Sequence, residues 1–222
     1  MIPAAVIQAA AGLGIEHLAF TDHIHDYTDL SILDDVRKEI SSIDAPMKVY
    51  LGCEADIIAV GKGLVTPELI SKTDFVMASA NHFADPTISQ PVSSDMKDVA
   101  RHFLEMFTYA VSLKDIDVIA HPFFVVPNSY DILAPSLLTE KELAPAIELA
   151  VKNNIAMEIS RRALSKKQTP FLLSFYRLCK EAGLKFSIGS DAHSLTDVGK
   201  TVRIKPLIDE LGLSDKNIWL PE

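Results

Sequence analysis

Several things are scarce in this chain. Of its 222 residues only two are cysteine, Cys53 and Cys179, far apart and outside any C-x-x-C. That excludes both a disulfide framework and a thiolate zinc site. Basic residues are outnumbered, 21 Lys and Arg against 30 Asp and Glu, for a formal net charge of -9. A broad nucleic-acid-binding surface is thereby disfavoured, while a small local basic pocket stays open. No apolar run is long enough to span a bilayer, and no basic segment opens the N-terminus. No G-x-G-x-x-G or G-x-x-x-x-G-K-[ST] follows a strand-like run, which removes the usual nucleotide cradles. Internal repeats, low-complexity tracts and Gly/Ser linkers are missing as well. These absences lead to the expectation of a single domain over 1–222 in a soluble cytoplasmic protein, with no membrane partner.

What is present is apolar and rhythmic. Hydrophobic residues make up 48% of the chain, enough for a sizeable core and too many for disorder. Strand-like runs, apolar with little alternation, occur at 17–23, 48–57, 74–83, 117–122, 155–160 and 185–193. That is the pattern of parallel strands covered on both faces. Between them lie amphipathic stretches. One at 95–113 puts Val99, Phe103, Met106, Phe107 and Ala110 on one helical face. Another, at 139–154, opens with Thr139 and Glu142 in capping-box spacing. A third, at 170–183, begins with Pro170 and has Gly183 at its end. Repeated strand–helix units predict a doubly wound sheet or a closed α/β barrel. Polar residues end nearly every strand, and a barrel gathers its strand ends around one axis, so the barrel is the better expectation. The chain begins differently, with a helix over 3–11 and no strand before it.

The polar residues at the strand ends are His23, Glu54, His82, His121, Glu158, Asp191 and His193. Successive ends fall roughly one strand–helix unit apart. A lone histidine ending a strand is ordinarily a hydrogen-bonded, half-buried side chain. Seven placed alike call for a common cause, because buried charged groups need partners and a metal cluster supplies them together. Imidazole with carboxylate, and no thiolate, is the ligand set of catalytic Zn, Mn or Fe centres. His17, at a strand's start, and His102, in mid-helix, read as structural or solvent-exposed. His25 is ambiguous, two residues past His23 in a loop.

Taken in order, "TDH" (21–23), "GCE" (52–54), "ASANH" (78–82), "AHP" (120–122), "MEIS" (157–160) and "GSDAH" (189–193) resemble the motifs of the PHP superfamily, named for polymerase and histidinol phosphatase. The resemblance covers nearly the whole chain. It implies a distorted (βα)7 TIM-like barrel of the PHP type with up to three divalent metals at the strand C-termini. One metal would be held by Glu54, His82 and His121, with Glu54 bridging to a second that Asp191 binds. His23 and His193 would bind a third. The family's opening H-x-H strand has no counterpart before Pro3. The expectation is therefore a barrel without its first strand, with two metals short of ligands and fewer ions retained.

By this reading the protein is a metal-dependent phosphoesterase acting on a small phosphomonoester through metal-activated water, with Glu54, Asp191 and His193 in the catalytic role. Arg161 could fork onto the substrate phosphate, and Arg162 is a weaker candidate, unless "SRRALSKK" is simply a solvated basic loop. Glu158 would contact substrate or orient a ligand. The alternatives are a nuclease or phosphodiesterase module like that of family X DNA polymerases, and a non-catalytic scaffold of the same fold.

Overall fold

The structure, a computed structural model, describes residues 1–161 and 165–221. Arg162 lies outside the described residues. The chain lays down its parallel strands in the order in which they sit side by side. They are β1 (His17–Ile24), β2 (Lys48–Ala59) with its short antiparallel partner β3 (Lys62–Gly63), β4 (Phe75–Ser79), β5 (Val118–Ile119), β6 (Ala156–Ser160) and β7 (Phe186–Gly189). Helices α1 (Pro3–Gly12), α2 (Ser31–Ser41), α3 (Pro67–Lys72), α4 (Met96–Ser112), α5 (Glu140–Lys152), α6 (Thr169–Glu181) and α7 (Lys205–Leu211) fill the connections. Sequential parallel order is the topology of an α/β barrel rather than of a doubly wound sheet. Here the sheet stays open: among the described residues β1 and β7 are its two edges, and no ladder joins them. Helix α1 lies across that opening. Its Val6 and Ala10 pack with Ala192 and Val198 beyond β7, and in the same cluster with Leu18 and Phe20 of β1.

The local signals hold where they rest on caps. Thr139 and Glu142 form the expected capping box, Thr139 N–H donating to Glu142 Oε2 at 2.8 Å. Pro170 sits in the first turn of α6, and Gly183 follows it with φ +89°. Helices α2, α3 and α7 and the β2–β3 hairpin add to the elements anticipated.

Strand bounds need correction, and the corrections bear on the site. β4, β5 and β7 stop short, so His82, His121, Asp191 and His193 stand in the turns that follow. His121 and Asp191 have positive φ, +26° and +47°, outside the extended region, and a strand cannot continue through such residues. β2 errs the other way. It continues to Ala59 because β3 folds back on it, leaving Glu54 in mid-strand. Glu54 nonetheless pairs with His23 near the end of β1, so it lies level with the sheet's C-terminal edge.

Alternation along the strands divides the two faces. Outward-pointing Ile57, Ala78, Ile119, Met157, Ile159 and Phe186 belong to one core with Phe103 and Phe107 of α4, Ile147 of α5 and Phe175 of α6. Each buried Ile, Met or Phe side chain among them contributes about 1.5–3 kcal/mol. Phe75, Met77, Val118, Ala120 and Ala156 form a second apolar layer on the concave side, with Tyr50 and Trp219 packed against it. Gly52 is required there, because a Cβ would overlap the Phe75 ring across the β2–β4 pair.

Candidate metal centre

Above that apolar layer the concave face turns polar. Glu54, two residues past Gly52, follows it on the same side of β2. Register sets His23 beside it on β1 and Met77 beside it on β4. His121 is held by the turn after β5, and its neighbour Phe123 anchors that turn. The Phe123 ring lies 5.0 Å from Phe107 and 5.1 Å from Phe175, both in the outer core. Packing of that kind can offset the strain of two left-handed residues, His121 and Phe123, in one turn. Asn81 secures the same turn from β4's side, its Nδ2 donating to the His121 carbonyl at 2.8 Å.

The side chains converge on Glu54. Its Oε1 is 3.0 Å from His121 Nε2 and 3.3 Å from His82 Nε2, and its Oε2 is 3.7 Å from His23 Nδ1. His23, Glu54 and His82 can place one ligand atom each within 4.8 Å of the others. Glu54 is only 8% exposed and His121 4%. Burial would raise the Glu54 carboxyl, but the His121 and His82 imidazoles outweigh it and hold the group well below the usual carboxylate range. Burial likewise opposes the charged form of His82, yet Asp56 and Glu54 carry it up to about 10. His121 is raised by Glu54 against the same burial penalty. His23 goes down, since there burial prevails over Glu54.

Two buried atoms in this cluster, Glu54 Oε1 and His23 Nδ1, have no hydrogen bond of acceptable geometry. Buried acceptors left so are rare and ask for an explanation. A divalent cation supplies one: the donors are carboxylate oxygen and imidazole nitrogen, and ligand atoms of His23, Glu54 and His82 lie within 4.8 Å of one another. The residues present fit a metal. A second group, His25, Asp56 and Asp85, meets the same 4.8 Å criterion.

The other expected residues divide. Asp191 and His193 pair with each other, His193 Nδ1 lying 3.3 Å from Asp191 Oδ1, and the His193 ring is 6.1 Å from that of His23. They line, with His23, Glu54, His121 and Glu158, a cleft of about 610 Å³ between β1 and β7. Glu158 is buried on β6, and its Oε2 accepts from the His121 N–H at 2.8 Å. Burial pushes its carboxyl up to about 7; His121 opposes the rise, and Glu54 and Asp191 add to it. Arg161 turns toward the segment after β7, its Nε donating to Ser190 O at 3.2 Å and its Nη1 lying 3.2 Å from Asp197.

Sequence reasoning missed Asp56 and Asn81. Asp56 was legible in principle: a second carboxylate at i+2 in an apolar strand shares the face of the first. Asn81 gave no signal beyond standing next to His82.

Proteins similar to this chain carry the name of an activity. A "probable phosphatase" of Acetivibrio thermocellus is 27% identical over 214 residues, 92% of this chain and 78% of that protein. Another "probable phosphatase", of Caldicellulosiruptor saccharolyticus, is 27% identical over 165 residues, 73% of this chain. The chain matches 60% of that relative's length, so part of the relative has no counterpart in the match. No protein-family model matches the chain. Among solved structures, hisK of Listeria monocytogenes, a "putative histidinol phosphatase", superposes with a TM-score of 0.62 over 88% of this chain and 90% of its own. At 14% identity that likeness is one of fold. Among the described residues no helix is long and apolar enough to cross a membrane.

Proposed function

We propose that this protein is a metal-dependent phosphoesterase that hydrolyses a small phosphomonoester. The observation that carries the reading is the pair of buried, unsatisfied atoms, Glu54 Oε1 and His23 Nδ1, in a cluster of imidazoles at the mouth of a cleft. Glu54, His82 and His121, with His23, would hold the principal ion, and Asp191 and His193 would serve a further one at the rim. A bound divalent ion of the Zn, Mn or Fe type would lower the pKa of water and neutralise charge on phosphoryl oxygens. It also reconciles an acidic chain with an anionic substrate, since the cation reverses the local field. The names borne by the similar proteins support the same reaction class, and the histidinol-phosphatase-like fold agrees with it.

The chain's own groups suggest how substrate is received. Met77 and Phe75 floor the cleft and exclude water from one side, leaving the polar residues at one end. Glu158, whose carboxyl can hold a proton near neutral pH, lines the cleft near His121 and can hydrogen-bond a substrate hydroxyl or phosphate oxygen. Arg161 would have to exchange its Asp197 partner to fork onto phosphate.

The test compares a generic phosphomonoester with single-stranded oligonucleotides, using protein loaded in turn with zinc, manganese and iron. Release of phosphate from the monoester, abolished by chelation, is expected. Cleavage of the oligonucleotide alone would move the assignment to a nuclease. Metal binding without hydrolysis of either substrate would move it to a scaffold.

A further inference from the structure

Asp56 lies two residues past Glu54 on β2, facing Ser79 of β4. Its side chain is 1% exposed, and a carboxylate so buried is costly unless both oxygens are used. Here they are divided between two rings. Oδ1 is 2.8 Å from His82 Nδ1, and Oδ2 is 2.5 Å from His25 Nδ1. An ionised carboxylate accepts and never donates, so each contact places a proton on Nδ1. For His82 this leaves Nε2, the nitrogen 3.3 Å from Glu54, as the one that would give up its proton to a metal. For His25 it fixes the ring plane, and that plane stacks on His23 at 5.5 Å and 13°. Tyr27 also stacks on His25, at 5.1 Å, and the His25 backbone N–H donates to Thr28 Oγ1.

We propose that Asp56 is the positioning residue of the centre, one buried carboxylate that sets the ligating nitrogen of His82 directly and the seat of His23 through the His25 ring. The proposal rests on the metal-centre reading above. A carboxylate that only filled space in β2 would not select which imidazole nitrogen faces Glu54. Asp56 does so for His82, and the same residue ties the loop that follows β1 to the ligands of β2 and β4. Groups that orient metal-binding histidines in this way commonly contribute 10- to 100-fold in metal affinity.

The experiment uses the full chain and zinc alone, with affinity read by competition against a chromophoric chelator. Asp56→Ala, verified as folded by circular dichroism, is expected to bind zinc roughly 10- to 100-fold more weakly, and His25→Ala to lose less. In zinc-loaded wild-type protein, long-range proton–nitrogen correlation spectra should show His82 protonated at Nδ1 and metal-bound at Nε2. Unchanged zinc affinity in folded Asp56→Ala would overturn the proposal, and so would a His82 carrying its proton on Nε2. Should Asp56→Ala fail to fold, the wild-type spectrum decides alone. A wild-type chain that binds no zinc, manganese or iron would defeat the metal centre itself and this proposal with it. Tight wild-type binding that Asp56→Ala leaves unmoved would remove only the role of Asp56.

Discussion

The inner and outer halves of the centre are built differently. Glu54 and His121 stand on the covered middle of the sheet, where β2, β4 and β6 are buried almost throughout. His23 and His193 belong to the edge strands and their turns, 36% and 45% exposed. Burial makes the inner half electrostatically strong: Glu54, His82 and His121 shift one another's protonation against a desolvation penalty. At the edge burial prevails instead, and His23 is pushed toward its neutral form. The inner half is preorganised by packing, whereas the outer half depends on an open sheet edge bridged by α1. An ion should therefore bind first and hardest within.

The largest test of that contrast replaces one ligand from each half. His121→Ala or His82→Ala should strip the principal metal and abolish hydrolysis, a loss of roughly 100-fold or more, since a ligand should matter at least as much as the groups that orient it. His193→Ala should leave that metal in place and lower turnover only partly. Elemental analysis reads both, and full metal in His121→Ala would erase the distinction.

A smaller effect lies in the pH dependence of the metal-free protein. His82 is raised to about 10 in the fold from an ordinary 6.5. Its stabilising contribution is thus complete below about pH 6.5 and disappears as pH climbs through about 10. Glu54, depressed, contributes to the same ion pair from the acid side, and its share disappears as pH falls below its ordinary range. Urea melts of chelator-treated protein should show stability falling between neutral pH and about pH 10. Metal-loaded protein should not show that fall, and identical profiles would count against the His82–Glu54 coupling.

Smaller again is Gly189→Ala at the edge. A Cβ there would run into Glu158 Oε1, forcing that carboxylate away from the His121 N–H. The expected cost is about 1–3 kcal/mol, the desolvation of a buried donor left unpaired. Denaturation monitored by fluorescence would detect it, and a neutral result would mean that Glu158 is free to swing. The smallest effect is at Arg161. Arg161→Ala should raise KM a few-fold with metal content unchanged, because its guanidinium already leans on Asp197 and Ser190. Unchanged kinetics would return this segment to a solvated basic loop.

The sequence made the inner half more legible than the outer. Glu54 lies in a long apolar strand, and its place in mid-strand rather than at the strand's end did not alter which face it serves. Caps such as Thr139–Glu142 are local chemistry and were readable as such. What could not be read was where β4, β5 and β7 stop. An apolar run looks the same whether it continues the ladder or enters a left-handed turn, as at His121 and Asp191. Nor does a sequence report pairing across elements. His25, ambiguous in isolation, acquires its meaning from Asp56, 31 residues away. The opening between β1 and β7, by contrast, lies where a barrel short of one strand was expected to open: among the described residues those two strands are the edges of the sheet.

Those two left-handed residues have a consequence for how this chain would change if relieved of its chemistry. Glycine adopts such a backbone without steric penalty, while histidine and aspartate hold it at a cost of about 1–3 kcal/mol each. A library screened for solubility alone should accordingly accumulate glycine or asparagine at Asp191. His121 should resist longer, because its removal strands the Glu54 charge in the interior. Drift toward a more robust fold and drift away from activity would then be the same substitution, beginning at the edge and moving inward.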